Sequence, residues 1–275
     1  MLKQRLLTAL ILIPLVLAAI LLLPSLPFQL LIGAVVLAAG WEWSRLIQLQ
    51  GNAARAAFVL LLALLMLAVG WAGGVVITSP LLQLTALFWL LMLLWVFVYP
   101  AGFPAGQRIV GRGVVVGVLV LLPLWIAGCG LQALAPRGGW MTIFVLLLIW
   151  AADTGAYTFG RLFGRHKLAP KVSPGKTWEG AGGALVGAAI IVVPALIWQP
   201  FAVIQAQPLL FVLLCVATVL LSIVGDLLES MFKRHSGIKD SGTIFPGHGG
   251  LLDRIDSLAA ALPVFAAGVA LLGAL

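Results

Sequence analysis

Charged residues are scarce in this chain of 275 residues: they make up 9% of it, against about 25% in average soluble domains. Hydrophobic residues make up 63%, above the usual range of about 45–50%. This composition excludes a soluble domain, a disordered chain and a collagen-like chain. Only two cysteines are present, Cys129 and Cys215, so a disulfide framework is excluded as well. Both lie in apolar runs, which is typical of small buried side chains rather than redox or metal-binding ones.

The remaining class is an all-α polytopic transmembrane helical bundle. In lipid every backbone N–H and C=O must be satisfied internally, and continuous apolar runs favour helices over alternating barrel strands. With about 20 residues per span, the sequence predicts about nine spans. They cover residues 6–24, 28–47, 54–74, 81–100, 113–134, 140–159, 180–199, 207–228 and 251–273. Residues 1–138 are predicted to form an N-terminal scaffold of about five spans, and residues 139–275 a catalytic region of about four spans with two cytoplasmic polar loops.

The basic residues predict the orientation of these spans. If the N-terminus is cytoplasmic and the spans alternate, all of the 16 lysines and arginines except Arg137 fall on the cytoplasmic side. This is the pattern of the positive-inside rule. It accounts for the net charge of +8 without a nucleic-acid partner. We therefore expect a multi-pass protein of the inner (cytoplasmic) membrane, with its active site facing the cytoplasm.

Acidic residues are few, and their positions are informative. Of the eight, only Glu42 precedes residue 150. Asp153, Asp226 and Asp253 lie near the predicted cytoplasmic ends of three different spans, where an ionisable group is costly and points to function. Three carboxylates at one depth are suited to a shared cation. Glu42 is interpreted more simply as marking the interfacial end of the second span, with Arg45 as its partner.

The densest polar cluster lies between the last two predicted spans. On a helix, Asp226, Glu229 and Lys233 share one face because they are spaced three and four residues apart. Asp253 and Asp256 are three residues apart on the next helix. Glycine-rich loops between them expose N–H groups that suit an anion, and Mg²⁺ is commonly held by one or two carboxylates together with phosphate oxygens. The alternative is a solvated loop whose ion pairs close two helices.

A second polar cluster precedes the seventh predicted span. Ser173, Lys176 and Thr177 lie just before that helix, where they are placed to donate to a phosphate at its N-terminus. The alternative is a basic loop that only sets membrane topology. The His and Cys spacings of zinc sites are absent from the sequence, and so is the G-x-S-x-G pattern of serine hydrolases.

The run from Ser230 to Asp256 resembles the signature of the phosphatidate cytidylyltransferases (CDP-diacylglycerol synthases), S-x-x-K-R-x4-K-D followed by P-x-H-G-G-x-x-D-R-x-D. The matching positions are Ser230, Lys233, Arg234, Lys239, Asp240, Pro246, His248, Gly249, Gly250, Asp253, Arg254 and Asp256. Two shorter stretches are similar to the same family: Asp-Thr-x-Ala-Tyr at 153–157 and Ser-Pro-x-Lys-Thr-Trp-Glu at 173–179. The resemblance covers the C-terminal half of the chain.

This resemblance implies an integral membrane homodimer that joins CTP and phosphatidic acid on the cytoplasmic side, with Mg²⁺ alone or with a second cation. On this basis Asp226, Asp253 and Asp256 are assigned to the metal centre, and Lys233 and Arg234 complete the catalytic set. The predicted substrate contacts are Asp153, Ser173, Lys176, Thr177, Lys239, Asp240, His248, Gly249, Gly250 and Arg254.

Two other functions remain open at this point. One is a related membrane enzyme that uses CTP with another lipid acceptor, such as a lipid-alcohol kinase. The other is a cation or proton transporter whose intramembrane acids form a relay. The loops rich in glycine, lysine and arginine favour a phosphate ligand over a bare ion. A CDP-alcohol phosphotransferase is excluded because its D-G-x2-A-R pattern is absent.

Overall fold

The structure is a computed structural model that describes residues 2–71, 80–99, 109–134, 138–242, 244 and 249–272. Within these ranges the regular secondary structure is helical apart from one short β-hairpin. The helices are α1 (Leu2–Leu22), α2 (Ser25–Leu46), α3 (Gly51–Trp71), α4 (Pro80–Val98), α5 (Val110–Ala133), α6 (Gly138–Phe163), α7 (Trp178–Trp198), α8 (Ala202–Ala206), α9 (Pro208–Ser236) and α10 (Leu252–Leu271). The hairpin strands are β1 (Lys167–Ala169) and β2 (Ser173–Thr177).

Each predicted span corresponds to one long helix, and the short α8 is an addition. By length and composition, seven of these helices are able to cross a membrane: α2, α3, α5, α6, α7, α9 and α10. The predicted class, a multi-pass bundle of transmembrane helices, is confirmed. The count of nine spans and the cytoplasmic N-terminus stay predictions.

Helix α9 is longer than its predicted span. The span 207–228 follows the apolar run, whereas α9 continues to Ser236, about two further turns at 3.6 residues per turn. Basic side chains in the last turn complement the negative end of the helix dipole, and Gly237 ends the helix with φ +71°. The extension places Lys233 and Arg234 on the same rigid helix as the preceding acids.

Helix α5 forms the centre of the bundle. All residues from 120 to 131 are buried, and α5 packs against α2, α6 and α10. Near the start of α5, the carbonyl oxygen of Gly113 accepts from the Trp43 indole of α2 over 2.9 Å. Helices from both sides of the predicted division at residues 138 and 139 therefore share one core, and the division itself stays a prediction.

Helices α6 and α7 meet at backbone distance. A Cβ atom at Gly155 would overlap the carbonyl oxygen of Gly183, and one at Gly187 would overlap that of Ala151. Small residues at such crossings let membrane helices approach closely. This pair is the most extensive helix contact in the described part of the chain, and it forms the base of the hairpin.

Gly187→Ala is expected to destabilise the protein by about 1–3 kcal/mol, because the added methyl group meets backbone atoms that have no rotamer to change. Gly182→Ala is the matched control on the same helix, since a Cβ there has no heavy atom within 4 Å. Thermal unfolding of the two purified variants in detergent measures the difference. Equal melting temperatures would contradict the close crossing.

The hairpin between α6 and α7 was not predicted. Its strands are antiparallel, with Lys167 opposite Thr177 and Ala169 opposite Ser173. The Thr177 hydroxyl accepts from the backbone N–H of Gly180 over 3.1 Å, which caps the first turn of α7. The polar stretch for which the sequence indicates a loop is thus a β-hairpin that leads directly into α7.

Candidate active site

Lys233 links two helices through two buried carboxylates. Its Nζ donates to Glu229 Oε2 of the same helix over 2.9 Å and to Asp253 Oδ1 of α10 over 2.8 Å. The Glu229 and Asp253 side chains are only 2% and 8% exposed. The expected shared face of Glu229 and Lys233 is therefore present, and Lys233 fixes α9 against α10.

Lys176 makes the second ionic link. Its Nζ lies 2.6 Å from Asp226 Oδ2 and 3.5 Å from the carbonyl oxygen of Ile223. The other oxygen of Asp226 accepts from the Ser230 hydroxyl over 3.2 Å. Because Lys176 belongs to β2 and Asp226 to α9, this ion pair brings the two polar clusters of the sequence into one site.

Ser241 and Gly250, two described residues between α9 and α10, contact Asp253. Asp253 Oδ2 accepts from the backbone N–H of Ser241 over 3.0 Å and from that of Gly250 over 2.7 Å. Gly249 has φ +83°, a left-handed conformation that favours glycine. A Cβ on Gly250 would overlap the Ser241 hydroxyl. Both glycines allow the backbone to approach carboxylate and hydroxyl oxygens.

A group of carboxylates lies where α9 crosses α10. A Cβ on Gly225 would lie 2.5 Å from the carbonyl oxygen of Asp256, so the two backbones are close at this point. Asp256 interacts electrostatically with both Asp226 and Glu229. One oxygen of Asp256 accepts from the N–H of Ser257 over 2.7 Å. Lys176 is the cation of this crossing, since it binds Asp226 and also acts electrostatically on Asp256.

The donors at this crossing fit Mg²⁺ in part. In the ranges that the structure describes, no three His, Cys, Asp or Glu side chains are close enough to form a complete metal site. However, Glu229 Oε1 is buried with no hydrogen-bond partner. Mg²⁺ commonly takes one or two carboxylates and completes its shell with phosphate and water. Asp253 binds Lys233 and two amides, and Asp226 binds Lys176. The assignment of Asp226, Asp253 and Asp256 as metal ligands stays a prediction.

A small polar pocket opens between the hairpin and α9. It has a volume of about 130 Å³ and is lined by Val172, Ser173, Ser230, Lys233, Arg234, Ile238 and Lys239. Arg234 Nε donates to the carbonyl oxygen of Val172 over 3.2 Å, which holds the hairpin against the helix. Three basic side chains and two hydroxyls around a cavity of this size suit a phosphate group.

The other predicted site residues differ in placement. Asp153 is exposed on α6 and interacts electrostatically with Asp226 and Lys176. Thr177 is buried as the cap of α7. Lys239, Asp240 and Arg254 are exposed. His248 lies outside the described residues.

Glu42 was not predicted as a site residue, and its expected pairing with Arg45 is wrong. The Glu42 side chain is buried, at 2% exposure, and no ion pair joins it to Arg45, which is exposed; the structure describes both residues. Its Oε1 accepts from the N–H of Leu251 over 3.1 Å, and its Oε2 accepts from the N–H of Leu252 over 2.8 Å and from the Ser241 hydroxyl over 2.9 Å. The available signal was an isolated acid inside an apolar span.

A larger cavity of about 440 Å³ lies between α6 and α7. Its lining includes Trp150, Val186 and Ile190 and contains no charged side chain. None of the predicted site residues that the structure describes lines it. The polar pocket, although smaller, is therefore where the candidate chemistry is located.

Together, the fold and the site define a polytopic membrane protein with a polar site that suits a phosphate group and is built from two separate sequence motifs. A family model described as "Cytidylyltransferase family" matches residues 3–272. The chain belongs to this cytidylyltransferase family.

Curated relatives agree with this assignment. The phosphatidate cytidylyltransferase of Pseudomonas aeruginosa is 44% identical over 270 residues, which cover 97% of this chain and 96% of the relative. That of Haemophilus influenzae is 38% identical over 281 residues, covering 96% and 97%. That of Staphylococcus saprophyticus is 48% identical over 125 residues, covering 44% and 46%. The resemblance drawn from the sequence motifs is confirmed.

Proposed function

We propose that this chain transfers the cytidylyl group of CTP to phosphatidic acid, giving CDP-diacylglycerol and pyrophosphate. The observation that carries this proposal is the near full-length similarity to two enzymes named phosphatidate cytidylyltransferase. The basic pocket is the part of the structure that suits a phosphate group of CTP or of phosphatidic acid.

In the proposed reaction a phosphatidate oxygen attacks the α-phosphorus of CTP in line. The new P–O bond forms as the bond to the bridging oxygen of pyrophosphate breaks, and pyrophosphate leaves. The nucleophile is already an anion near neutral pH, so the barrier is mainly charge repulsion and positioning. Lys233, Arg234 and Lys239 supply fixed positive charge at the pocket, and Ser173 supplies a hydroxyl for phosphate binding.

We further propose that Asp226 and Asp256 hold Mg²⁺, alone or with a second cation. When bound, Mg²⁺ supplies charge neutralisation on the phosphates. Lys176 orients the Asp226 carboxylate from the hairpin, and Asp253 orients the Lys233 ammonium from α10. The hairpin thus supplies the lysine that binds Asp226, and α10 supplies the carboxylate that orients Lys233.

The proposed location is the inner membrane, with the N-terminus and the active site on the cytoplasmic side and two copies forming a homodimer. The distribution of basic residues supports this orientation, because Arg137 alone falls on the other face. Both Lys176 and Lys233 then lie on the side where CTP is available.

The test is release of pyrophosphate by the purified protein in mixed micelles containing phosphatidic acid, CTP and Mg²⁺. We expect a lipid product whose mass equals that of CDP-diacylglycerol, and loss of product when a chelator removes Mg²⁺. Release with the chelator present would contradict the metal assignment but not the reaction.

Two further arms separate the alternatives. Diacylglycerol in place of phosphatidic acid tests a lipid kinase, which would give phosphatidic acid and CDP. Proteoliposomes without nucleotide test a transporter, which would give ion flux. Phosphatidic acid in the first arm or ion flux in the second, with no CDP-diacylglycerol in the pyrophosphate assay, would contradict the proposed function.

A further inference from the structure

We infer that Glu42 is a positioning residue of the active site, acting from the N-terminal half of the chain on the start of α10, which carries Asp253, and on the loop before it. The expected effect on the reaction rate rests on the proposed function. The claim that Glu42 holds the start of α10 rests on the contacts between α2 and α10. Glu42 is placed to orient groups that bind phosphate and does not itself line the polar pocket.

A nearly fully buried carboxylate is costly unless its oxygens are satisfied. Glu42 meets this need with two backbone amides at the start of α10 and with the Ser241 hydroxyl from the preceding segment. The amides of Leu251 and Leu252 belong to the first turn of α10, where the helix dipole favours a negative charge. The carboxylate therefore binds the helix start and the loop at once.

Glycines shape the space around this carboxylate. A Cβ on Gly242 would overlap Glu42 Oε1, and one on Gly250 would lie 2.5 Å from Glu42 Oε2. The loop thus surrounds the Glu42 head group on two sides with bare backbone. These close backbone contacts on two sides restrict the position of the loop more than a single hydrogen bond does.

From Glu42 the contacts lead directly to the proposed phosphate-binding lysine. Ser241 gives its hydroxyl to Glu42 and its backbone N–H to Asp253. Gly250 packs against Glu42 and donates to the same oxygen of Asp253. Asp253 then accepts from Lys233. A shift of the loop after loss of the Glu42 charge therefore moves Asp253 and, through it, the Lys233 ammonium.

Glu42→Gln is the informative variant, because it keeps the side-chain shape but replaces one acceptor oxygen with a donor. We expect kcat for pyrophosphate release, per folded molecule, to fall about 10- to 100-fold, the effect of misplacing a reacting group by about 1 Å. The KM for CTP should change far less, since Arg234 and Lys239 are untouched. A purely structural role would lower the folded fraction and leave kcat per folded molecule unchanged.

The matched control is Arg45→Gln, which also removes a charge at the end of α2 but lies at an exposed position. We expect its kcat to equal that of the wild type. Ser241→Ala removes one of the three hydrogen bonds and should lower kcat by about 2- to 10-fold. It decides the matter if Glu42→Gln does not fold, because an unchanged kcat in Ser241→Ala would then overturn the inference.

Amide hydrogen exchange gives a readout that is independent of activity. In Glu42→Gln we expect the amides of Leu251 and Leu252 to exchange at least about tenfold faster, since they lose a charged acceptor. Peptides from α6 and α7 should be unchanged. Faster exchange throughout the protein would overturn a local role.

The outcomes separate the two proposals. If the wild type releases no pyrophosphate, the proposed function fails and exchange alone decides whether Glu42 holds the loop. If the wild type is active, a kcat for Glu42→Gln within twofold of the wild type overturns the inference. An equal loss of kcat in Arg45→Gln overturns it too.

Discussion

Lys233→Met is expected to lower nucleotidyl transfer by about 10²–10³-fold, because it removes one of the three basic side chains of the polar pocket, the one held between two buried carboxylates. It also leaves Glu229 and Asp253 facing each other without their shared cation. Removing one partner from a buried ion pair typically destabilises a protein by about 3–5 kcal/mol. We therefore expect reduced thermal stability together with the loss of activity.

Two variants separate these effects. Lys171→Met makes the same replacement in the exposed turn of the hairpin, and it should keep both activity and stability. Lys233→Arg keeps the charge but places a larger planar group between two buried carboxylates, so it should recover stability better than activity. Pyrophosphate release and detergent melting curves measure both quantities. Full activity in Lys233→Met would remove Lys233 from the site.

Asp226→Asn is expected to lower activity at least about 100-fold at fixed Mg²⁺ and to raise the Mg²⁺ concentration needed for half-maximal rate. The change removes the charge that binds Lys176 at 2.6 Å and half of the carboxylate pair proposed to hold the metal. A titration of pyrophosphate release against Mg²⁺ measures both effects.

Glu179→Gln is the control for Asp226→Asn. Glu179 is also an acid near the hairpin, but it pairs with His166 over 2.6 Å and does not line the polar pocket. It should leave the Mg²⁺ requirement unchanged. If Asp226→Asn loses activity with no change in Mg²⁺ dependence, Asp226 acts only through Lys176 and not as a ligand.

Hydrophobic runs and local spacing made much of this protein predictable. The long apolar segments give the helices, because in lipid each helix satisfies its own backbone. The spacing of Glu229 and Lys233 gives their contact, because four residues make about one turn. The motif residues identify the family, since their irregular spacing is specific. These features all depend on neighbours along the chain or on a familiar pattern.

The features that escaped prediction depend on a contact between distant segments or lie in short polar stretches. Glu42 meets Leu252 across 210 positions, and the sequence near Glu42 shows only aromatic residues and Arg45. The hairpin has strands of three and five residues containing Pro174 and Gly175, a composition that indicates a loop. The end of α9 is polar, so a hydropathy criterion stops at its last apolar turn.

The Glu42 carboxylate has a consequence for dissecting this enzyme into fragments. A piece that begins at residue 139 would contain every motif residue, yet it would present the α10 start without the acceptor that neutralises its amides. Motif content alone is therefore a poor guide to the minimal catalytic unit. Mutant libraries that vary only the C-terminal half keep Glu42, which binds the loop before α10, constant. Changing Glu42 and the loop residues together would give loop conformations that changes in either part alone do not.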